Sequence, residues 1–393
     1  MRVLLDHQIF ELQRWGGISR NVVELVRGLR PAVEVELALA RSMSEYVPEL
    51  NALLGLAVTP DGHYETLLGG AKLPAAVKRK VWSVRKRLSP GTLAARMNRE
   101  LSLARLRAGA FDVFHPTYYD PYFLDALGDR PLVLTVHDLA HDVLPELFAP
   151  GDPTAARRRL LASRAARIIA VSEATKRDVV ERLGIDPARI AVVPHGFTWS
   201  SPPAPPPPLP QRYLLYTGTR HAYKNWGFFV EAVAPLLRGT PGLHLVCSGD
   251  PFTAEERAVL GRLELGGRVV HVPATEGTLR ALYARALAFA FPSLYEGFGF
   301  PVLEAFAEGC PAALARTTSL PEVGGDAAVY FDPRDASAIR EALARLVSDT
   351  ALRADLVARG RARVAEFTWA RTCALTAEAY REALRGGAPA RQA

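Results

Sequence analysis

The 393-residue sequence has little cysteine and no long apolar run. Its three cysteines, Cys247, Cys310 and Cys373, are far apart and odd in number, which excludes a disulfide framework or a zinc site and predicts three small buried side chains. No apolar stretch reaches the roughly 18 residues that span a bilayer. Asp6 and His7 stand where a signal peptide needs an apolar core, so we expect a cytoplasmic protein.

Internal repeats and a strong overall charge are also missing. No fixed period recurs, and 49% hydrophobic against 23% charged residues excludes a disordered chain. The net charge of +7 comes from one segment, since residues 71–110 hold eleven Lys or Arg and one acid. Because the rest of the chain is slightly acidic, we expect no nucleic-acid partner.

The sequence does contain short runs of Val, Ile and Leu that alternate with helical patterns. Such runs are typical of strands buried on both faces, and their alternation with helices predicts an α/β fold with parallel sheets. The predicted strands are Arg2–Asp6, Val33–Leu39, Phe111–His115, Leu132–Asp138, Arg167–Ser172, Tyr213–Gly218, Leu243–Gly249, Arg268–Val272 and Leu287–Pro292.

A proline-rich stretch divides this pattern into two similar halves. Seven of the ten residues in Ser201–Pro210 are proline, which has no amide donor and fixes its own φ, so the stretch predicts a stiff connector. We therefore predict two doubly wound, Rossmann-like domains that face a central cleft. Ligands of such sheets bind beyond the carboxyl ends of the strands.

The segment Leu294–Pro311 follows a predicted strand and carries the strongest chemical signal. Gly297 and Gly299 permit tight turning, and Pro301 suits the first turn of a helix predicted to end near Glu308. The amino end of that helix is an anion site. Two carboxylates eight residues apart, Glu296 and Glu304, are placed to bind different hydroxyls of one ligand.

Two more loops follow strands. Thr217–Asn225 carries Arg220 and Lys224, a forked donor and a point charge that suit a diphosphate. Trp15–Arg20 places Gly16 and Gly17 before a helix, where backbone amides approach an anion. The latter is not the Gly-x-Gly-x-x-Gly pattern of dinucleotide enzymes, so a nicotinamide enzyme is disfavoured.

Together these segments resemble the family 4 retaining glycosyltransferases of the GT-B fold, over essentially the whole chain. Glu296–Glu304 resembles the family's Glu-x7-Glu motif, and Thr217–Asn225 resembles its phosphate-binding loop. The resemblance implies an amino-terminal acceptor-side domain (1–198), a linker (199–211), a carboxy-terminal donor domain (212–366) and a last helix (367–393) that crosses back. His195 departs from the Asn of many members, and we assign it no chemistry.

The resemblance also implies roles for individual residues. Arg220 and Lys224 hold the donor diphosphate, Glu304 binds the ribose, and Glu296 contacts the transferred sugar. The remaining implied contacts to the donor come from Gly16, Gly17, His137, Val270, His271, Val272, Gly297, Phe298, Gly299 and Phe300.

The implied reaction moves a hexose, with mannose as the candidate, from a GDP- or UDP-linked donor to a glycan or lipid-linked acceptor, as in polysaccharide or lipopolysaccharide synthesis. We expect no metal or other cofactor, because two cations and a helix terminus stabilise the leaving group and no Asp-x-Asp pair occurs. A metal site at His137, Asp138, His141 and Asp142 is the weaker interpretation. An epimerase-like enzyme and a non-catalytic nucleotide-sugar-binding protein remain alternatives.

The basic segment has two interpretations. Apolar residues at helical spacing, from Leu73 to Leu88, indicate either a helix packed on its domain or a docking helix for an anionic membrane. For residues 72–107 the second interpretation predicts a protein peripheral to the inner membrane face.

Overall fold

The computed structural model describes residues 1–60, 93–205, 208–220, 222–273 and 275–386. The strands are β1 (Arg2–Leu5), β2 (Glu34–Leu37), β3 (Arg41–Ser42), β4 (Thr59–Pro60), β5 (Val113–His115), β6 (Val133–Val136), β7 (Arg167–Ala170), β8 (Ile190–Val192), β9 (Arg212–Thr217), β10 (Leu243–Ser248), β11 (Val269–Val272), β12 (Ala288–Phe291), β13 (Ala312–Ala315) and β14 (Ala328–Phe331).

The α-helices of the described residues alternate with these strands. They are α1 (Gln8–Leu12), α2 (Gly17–Leu29), α3 (Val47–Leu54), α4 (Leu93–Ala108), α5 (Leu124–Leu127), α6 (Ala140–Val143), α7 (Thr154–Arg164), α8 (Glu173–Leu183), α9 (Trp226–Gly239), α10 (Ala254–Arg262), α11 (Glu276–Arg285), α12 (Phe300–Ala307), α13 (Leu320–Gly324), α14 (Ala336–Ser348), α15 (Thr350–Val364) and α16 (Trp369–Gly386). Short 3-10 turns lie at Pro145–Leu147, Pro187–Arg189 and Ala222–Lys224.

The carboxy-terminal half contains one six-stranded parallel sheet in the order β11-β10-β9-β12-β13-β14. The strand order reverses between β9 and β12, so the helices that follow these two strands go to opposite faces and leave a crevice at their carboxyl ends. The strands are buried on both faces, as their continuous apolar sequences predict.

The amino-terminal half repeats this plan with two three-stranded parallel sheets, β2-β1-β5 and β6-β7-β8. A parallel bridge between Phe114 and Leu132 joins the edges of β5 and β6. Its reversal point lies between β1 and β5. The predicted fold of two Rossmann-like halves is therefore confirmed, although β13 and β14 were not among the predicted strands.

The last helix, α16, packs on the amino-terminal half. Cys373 and Tyr380 belong to the same apolar core as β1 and α2, and the Tyr380 hydroxyl lies 2.8 Å from His115 Nδ1. The chain thus returns across the cleft, while the domain boundaries given above stay a prediction. All three cysteines are buried and unpaired, as predicted.

Within the described residues, no helix is long and apolar enough to cross a bilayer. The apolar stripe from Leu73 to Leu88, on which the docking-helix prediction depends, lies outside the described residues. Of the basic segment, only the part that begins with α4 is described, and there the helix contacts the amino-terminal half through Asn98, whose side chain bonds the backbone of Ala40 and Arg41.

Candidate active site

The crevice of the carboxy-terminal half is bordered by the two loops that the sequence singled out. Thr217–Asn225 follows β9 and Leu294–Gly299 follows β12, so adjacent strands deliver both loops to one edge of the sheet. Backbone contact between them is direct, since the Leu294 amide donates to the Tyr223 carbonyl at 2.8 Å. The two strongest sequence motifs therefore form one surface.

The Arg220 side chain is held by residues that follow the neighbouring strand, β10. Its Nε donates to Glu256 Oε1 at 2.6 Å, and its Nη2 donates to the carbonyls of Asp250 and Pro251. The guanidinium carbon lies 4.9 Å from the ring centre of Phe252. The remaining nitrogen, Nη1, is buried and has no hydrogen-bond partner among the described residues. Arg220 Nη1 is therefore available to donate a hydrogen bond to an anion.

Lys224 and Glu296 form an ion pair across the two loops. Lys224 Nζ lies 2.6 Å from Glu296 Oε1, and the side chains are only 18% and 12% exposed. Burial opposes the charge on Lys224, but the Glu296 carboxylate raises the pKa of the amine above its ordinary value. The cation and the carboxylate therefore lie side by side at the crevice.

The backbone around Glu296 is held by hydrogen bonds from the next strand connection. The Glu296 amide donates to Thr318 Oγ1 at 3.0 Å, and Thr318 and Ser319 hydroxyls donate to its carbonyl at 2.8 and 2.9 Å. Gly299 has a φ of +106° at the start of α12, a conformation that favours glycine. Helix α12 begins at Phe300, one residue before its predicted start.

Glu304 lies one turn inside α12 in a buried polar cluster. Its Oε2 accepts a hydrogen bond from the Tyr283 hydroxyl at 2.8 Å, and that hydroxyl lies 2.9 Å from Thr217 Oγ1 at the end of β9. Burial raises the pKa of Glu304 to about 7, against the opposing effect of the Tyr283 hydrogen bond. The carboxyl group is thus poised between its charged and neutral forms near neutral pH.

The predicted residues of the amino-terminal half meet this surface from the other side. The ring of Phe300 lies against the backbone of Gly17, where an added Cβ would come within 2.9 Å of it. A Cβ at Gly16 would overlap the Gln13 side chain, whose Oε1 accepts from Ser19. Gly17 therefore brings the start of α2 close to the start of α12, whereas the contact at Gly16 lies within the amino-terminal half.

His137 follows β6 and faces the same cleft. Burial lowers its pKa to about 4, and its Nδ1 has no hydrogen-bond partner among the described residues. Its ring stacks with that of His195 at 5.9 Å, and His195 stacks on Phe300 at 5.0 Å. His195, to which the sequence assigned no chemistry, thus links the two halves.

Val270, His271 and Val272 lie in β11, at the edge of the sheet. His271 Nε2 lies 2.8 Å from the Gly249 carbonyl, and its ring contacts Phe252 edge-on at 5.8 Å. Because Phe252 also covers Arg220, this strand borders the Arg220 side of the crevice rather than the ion pair. Phe298, between the two glycines, is buried and contacts His195 edge-on at 4.9 Å.

A second cavity lies at the reversal point of the amino-terminal sheet. It has a volume of about 340 Å³, and its walls come from the residues after β1 and after β5, with additions from α4 and α7. Tyr119, in its wall, accepts a hydrogen bond from the His137 amide at 3.0 Å, so the cavity adjoins the cleft. Its lining includes His7, Gln8, Glu11, Arg99, Tyr118, Tyr119, Asp120, Tyr122 and Arg157.

Sequence reasoning missed Glu256, Tyr283 and this cavity. Glu256 carries a readable signal, the capping box Thr253-x-x-Glu256, but nothing local shows that its carboxylate also binds Arg220. The weaker metal interpretation is not supported by geometry, because Asp142 pairs with Arg158 and His141 stacks on Phe148. The described residues contain no cluster of three or more metal-ligating side chains.

Two Rossmann-like halves whose strand ends face each other across a cleft define the GT-B class of glycosyltransferases. Solved structures agree: Anabaena HepE in complex with UDP and glucose matches with a TM-score of 0.69 and 18% identity, over 96% of this chain and 98% of that one. At this identity the likeness concerns the fold.

Sequence comparison gives the family. The Glycosyltransferase Family 4 model matches residues 15–198, and the Glycosyl transferases group 1 model matches residues 211–349. The chain belongs to the family 4 glycosyltransferases, as its motifs predict.

Two relatives show how far the similarity extends. The O-antigen chain mannosyltransferase B of Escherichia coli is 31% identical over 283 residues, which cover 68% of this chain and 66% of that protein. The D-inositol 3-phosphate glycosyltransferase of Salinispora arenicola is 28% identical over 412 residues, covering 95% and 89%. The chain is therefore a glycosyltransferase that uses a nucleotide sugar.

Proposed function

We propose that this enzyme transfers a mannosyl residue, with retention of configuration, from GDP-mannose to a glycan or lipid-linked acceptor in the synthesis of a surface polysaccharide. The observation that carries the proposal is the Lys224–Glu296 pair at 2.6 Å in the crevice between β9 and β12. A cation for a phosphate and a carboxylate for sugar hydroxyls lie side by side there. The mannosyltransferase among the relatives supports mannose.

The donor diphosphate binds between Arg220 and Lys224. Arg220 offers its unpartnered Nη1, and Lys224 exchanges part of its contact with Glu296 for a phosphate oxygen. The amides of Gly297 to Phe300 and of Gly16 and Gly17 add donors from both halves. This set of positive groups stabilises the departing diphosphate, which is where negative charge develops.

The sugar and nucleoside extend in opposite directions from the diphosphate. Glu296 accepts hydrogen bonds from hydroxyls of the transferred sugar, and His137 borders that sugar from the amino-terminal half. Glu304 binds the ribose hydroxyls in place of the Tyr283 hydroxyl, and the backbone of Val270 to Val272 meets the base. These assignments depend on the contacts described above and on the family's motif.

We propose attack on the same face as the leaving group. The bond from the anomeric carbon to the diphosphate oxygen breaks, the bond to the acceptor oxygen forms, and the acceptor's proton passes to the departing diphosphate. In this mechanism Glu296 contacts hydroxyls of the transferred sugar and forms no covalent bond to the anomeric carbon. Activity that persists undiminished in Lys224→Ala would remove the electrostatic basis of this step.

The acceptor binds in the cavity of about 340 Å³ at the reversal point of the amino-terminal sheet. Aromatic faces of Tyr118 and Tyr122 suit sugar rings, and the balanced charges of Arg157 and Asp120, 3.5 Å apart, suit neutral hydroxyls. Tyr119 joins the cavity wall to the His137 backbone, which leads the acceptor toward the transferred sugar.

Residues 72–107 dock the enzyme on an anionic membrane, where a lipid-linked acceptor lies. The excess of Lys and Arg in this segment supports the proposal. Sedimentation with phosphatidylglycerol vesicles tests it: binding is expected to weaken with salt and with Lys78→Glu and Arg85→Glu together, whereas salt-insensitive or absent binding contradicts it.

A panel of nucleoside diphosphates tests the donor. GDP at 100 times its dissociation constant is expected to stabilise the protein by about 2.7 kcal/mol, and UDP by much less. Selective stabilisation by UDP would mean that the donor carries uracil instead of the proposed guanine. No stabilisation by any nucleoside diphosphate would overturn the proposed function. Hydrolysis of GDP-mannose without acceptor separates an enzyme from a binding protein.

A further inference from the structure

Tyr295 belongs by sequence to the carboxy-terminal half but packs in the core of the amino-terminal half. It stands immediately before Glu296, and its side chain is 2% exposed among apolar residues such as Leu139 and Val179. Its hydroxyl donates to Asp178 Oδ2 at 2.5 Å and accepts from the Leu139 amide at 3.1 Å. This side chain bridges the two halves.

Gly297, on the other side of Glu296, is held by the same half. Its carbonyl accepts hydrogen bonds from Ser172 Oγ at 2.7 Å and Thr175 Oγ1 at 3.2 Å. A Cβ at this position would overlap the His137 carbonyl, so only glycine allows the approach. Both neighbours of Glu296 therefore bind the amino-terminal half, while Glu296 itself pairs with Lys224.

A third contact fixes the helix that supplies these partners. The Glu322 carboxylate, from the carboxy-terminal half, accepts hydrogen bonds from the amides of Glu173 and Ala174 at 2.9 and 3.2 Å. These are free amides at the amino end of α8, where a negative charge is favourable. Ser172 caps helix α8, Thr175 lies in its first turn and Asp178 lies about one turn further on, so Glu322 helps to hold all three toward the Glu296 loop.

The three contacts depend on closure of the cleft. A tyrosine hydroxyl and a carboxylate are costly to bury unless each has a partner, and here the partners come from opposite halves. If the halves separate, the Tyr295 hydroxyl and the Gly297 carbonyl lose their hydrogen bonds to the amino-terminal half. Glu296 then keeps the contacts of its own half, which include those with Lys224, Thr318 and Ser319.

We propose that Tyr295 is a positioning residue for the transfer reaction: its docking between Leu139 and Asp178 places Glu296 for contact with the transferred sugar when the halves close. The proposal rests on the function proposed above, because it needs Glu296 at the sugar. It assigns a role to a side chain that touches no substrate.

The test is Tyr295→Phe, which keeps the ring and removes only the hydroxyl. We expect kcat for transfer to fall about tenfold, as for loss of one hydrogen bond to a charged group, while the donor KM changes by less than about twofold. Asp178→Ala, which removes the acceptor, is expected to lower kcat by a similar factor. The double variant is expected to be no slower than the slower single variant, because both remove the same interaction.

Tyr213→Phe is the matched control. Tyr213 is equally buried, and its hydroxyl donates to the Leu282 carbonyl at 2.7 Å within the carboxy-terminal half. The Tyr213→Phe variant is expected to be less stable to heat but to keep the kcat of the unchanged protein. Equal kcat values for Tyr295→Phe and the unchanged protein overturn the proposal, and so does an equal loss in Tyr213→Phe.

A second measurement separates this proposal from the proposed function. If the unchanged protein neither transfers nor hydrolyses any nucleotide sugar, the proposed function fails first. The radius of gyration from small-angle X-ray scattering then tests whether the Tyr295 side chain holds the two halves together. A larger radius for Tyr295→Phe than for Tyr213→Phe supports this docking, and equal radii overturn it.

Discussion

The two halves share one sheet plan but carry different chemistry at their reversal points. Between β9 and β12, the crevice holds cations with fixed partners, Arg220 with Glu256 and Lys224 with Glu296. Between β1 and β5, the cavity is lined mainly by tyrosines and by side chains whose charges balance. Under the proposed function, one architecture provides two sites, one for a charged leaving group and one for a neutral, hydroxyl-rich molecule.

The largest expected effect concerns the crevice between β9 and β12, where the charged side chains lie. Lys224→Ala removes the cation nearest Glu296 and the stabilisation of the departing diphosphate. We expect kcat to fall about 100- to 1000-fold, as for loss of one donor at a developing negative charge. Affinity for the intact nucleotide sugar is expected to change much less than kcat, because the interaction strengthens in the transition state.

Arg262→Ala is the control for Lys224→Ala. Arg262 lies in the same half and pairs with Glu231 at 2.7 Å, but its side chain is 64% exposed, so the change is expected to leave kcat intact. Steady-state kinetics at saturating donor compares the two variants. A Lys224→Ala enzyme within threefold of the unchanged one contradicts the assignment of the leaving-group site.

A smaller effect on the kinetics is expected from a change in the cavity between β1 and β5. Arg157→Ala removes one member of the Arg157–Asp120 pair in the cavity wall. We expect KM for the acceptor to rise about fivefold, on the order of 1 kcal/mol, with the donor KM unchanged. This separation of the two KM values distinguishes an acceptor cavity from a second donor subsite.

Arg164→Ala on the same helix is the comparison variant, because Arg164 is not among the residues that line the cavity. Its acceptor KM is expected to stay unchanged. If Arg157→Ala raises the donor KM instead, the cavity belongs to the donor and the contrast between the halves is wrong.

Local patterns explain why the fold and the charged site could be predicted. The apolar runs of β1 and β9 are continuous in sequence, and Arg220, Lys224 and Glu296 stand directly after strands, so topology alone brings them together. Strand β13 was missed because Ala312–Ala315 contains three alanines, which have low β-propensity, and the structure makes it a strand by burying it between β12 and β14.

The neutral site could not be predicted because its walls are joined only by tertiary structure. Gln8 donates to the Asp120 carbonyl across 112 positions of sequence, and no local signal marks either residue. The position of Tyr295 is hidden for the same reason, since its partner Asp178 precedes it by 117 positions. A residue whose partner lies in the opposite half changes no hydrophobic period in its own segment, so the sequence does not reveal its role.

The last prediction concerns stability rather than activity, at Glu304 in the carboxy-terminal half. Its pKa rises from the ordinary 4.5 to about 7 in the folded protein through burial, so the folded state binds more protons than the unfolded chain between these values. Stability then decreases as the pH rises from about 4.5 to 7, and the full cost of the buried charge remains above pH 7. The Glu304 side chain is only half-buried, and solvent screening limits this cost to about 2 kcal/mol.

Glu304→Gln removes the charge and keeps an oxygen that accepts the Tyr283 hydrogen bond, which is 2.8 Å long in the unchanged protein. In the absence of nucleotide we expect the variant to be more stable at pH 8 by about 1 to 2 kcal/mol and equally stable near pH 5. Urea unfolding at the two pH values measures the difference. A stability gain that is the same at both values would mean that Glu304 keeps one protonation state throughout, and the raised pKa would then be contradicted.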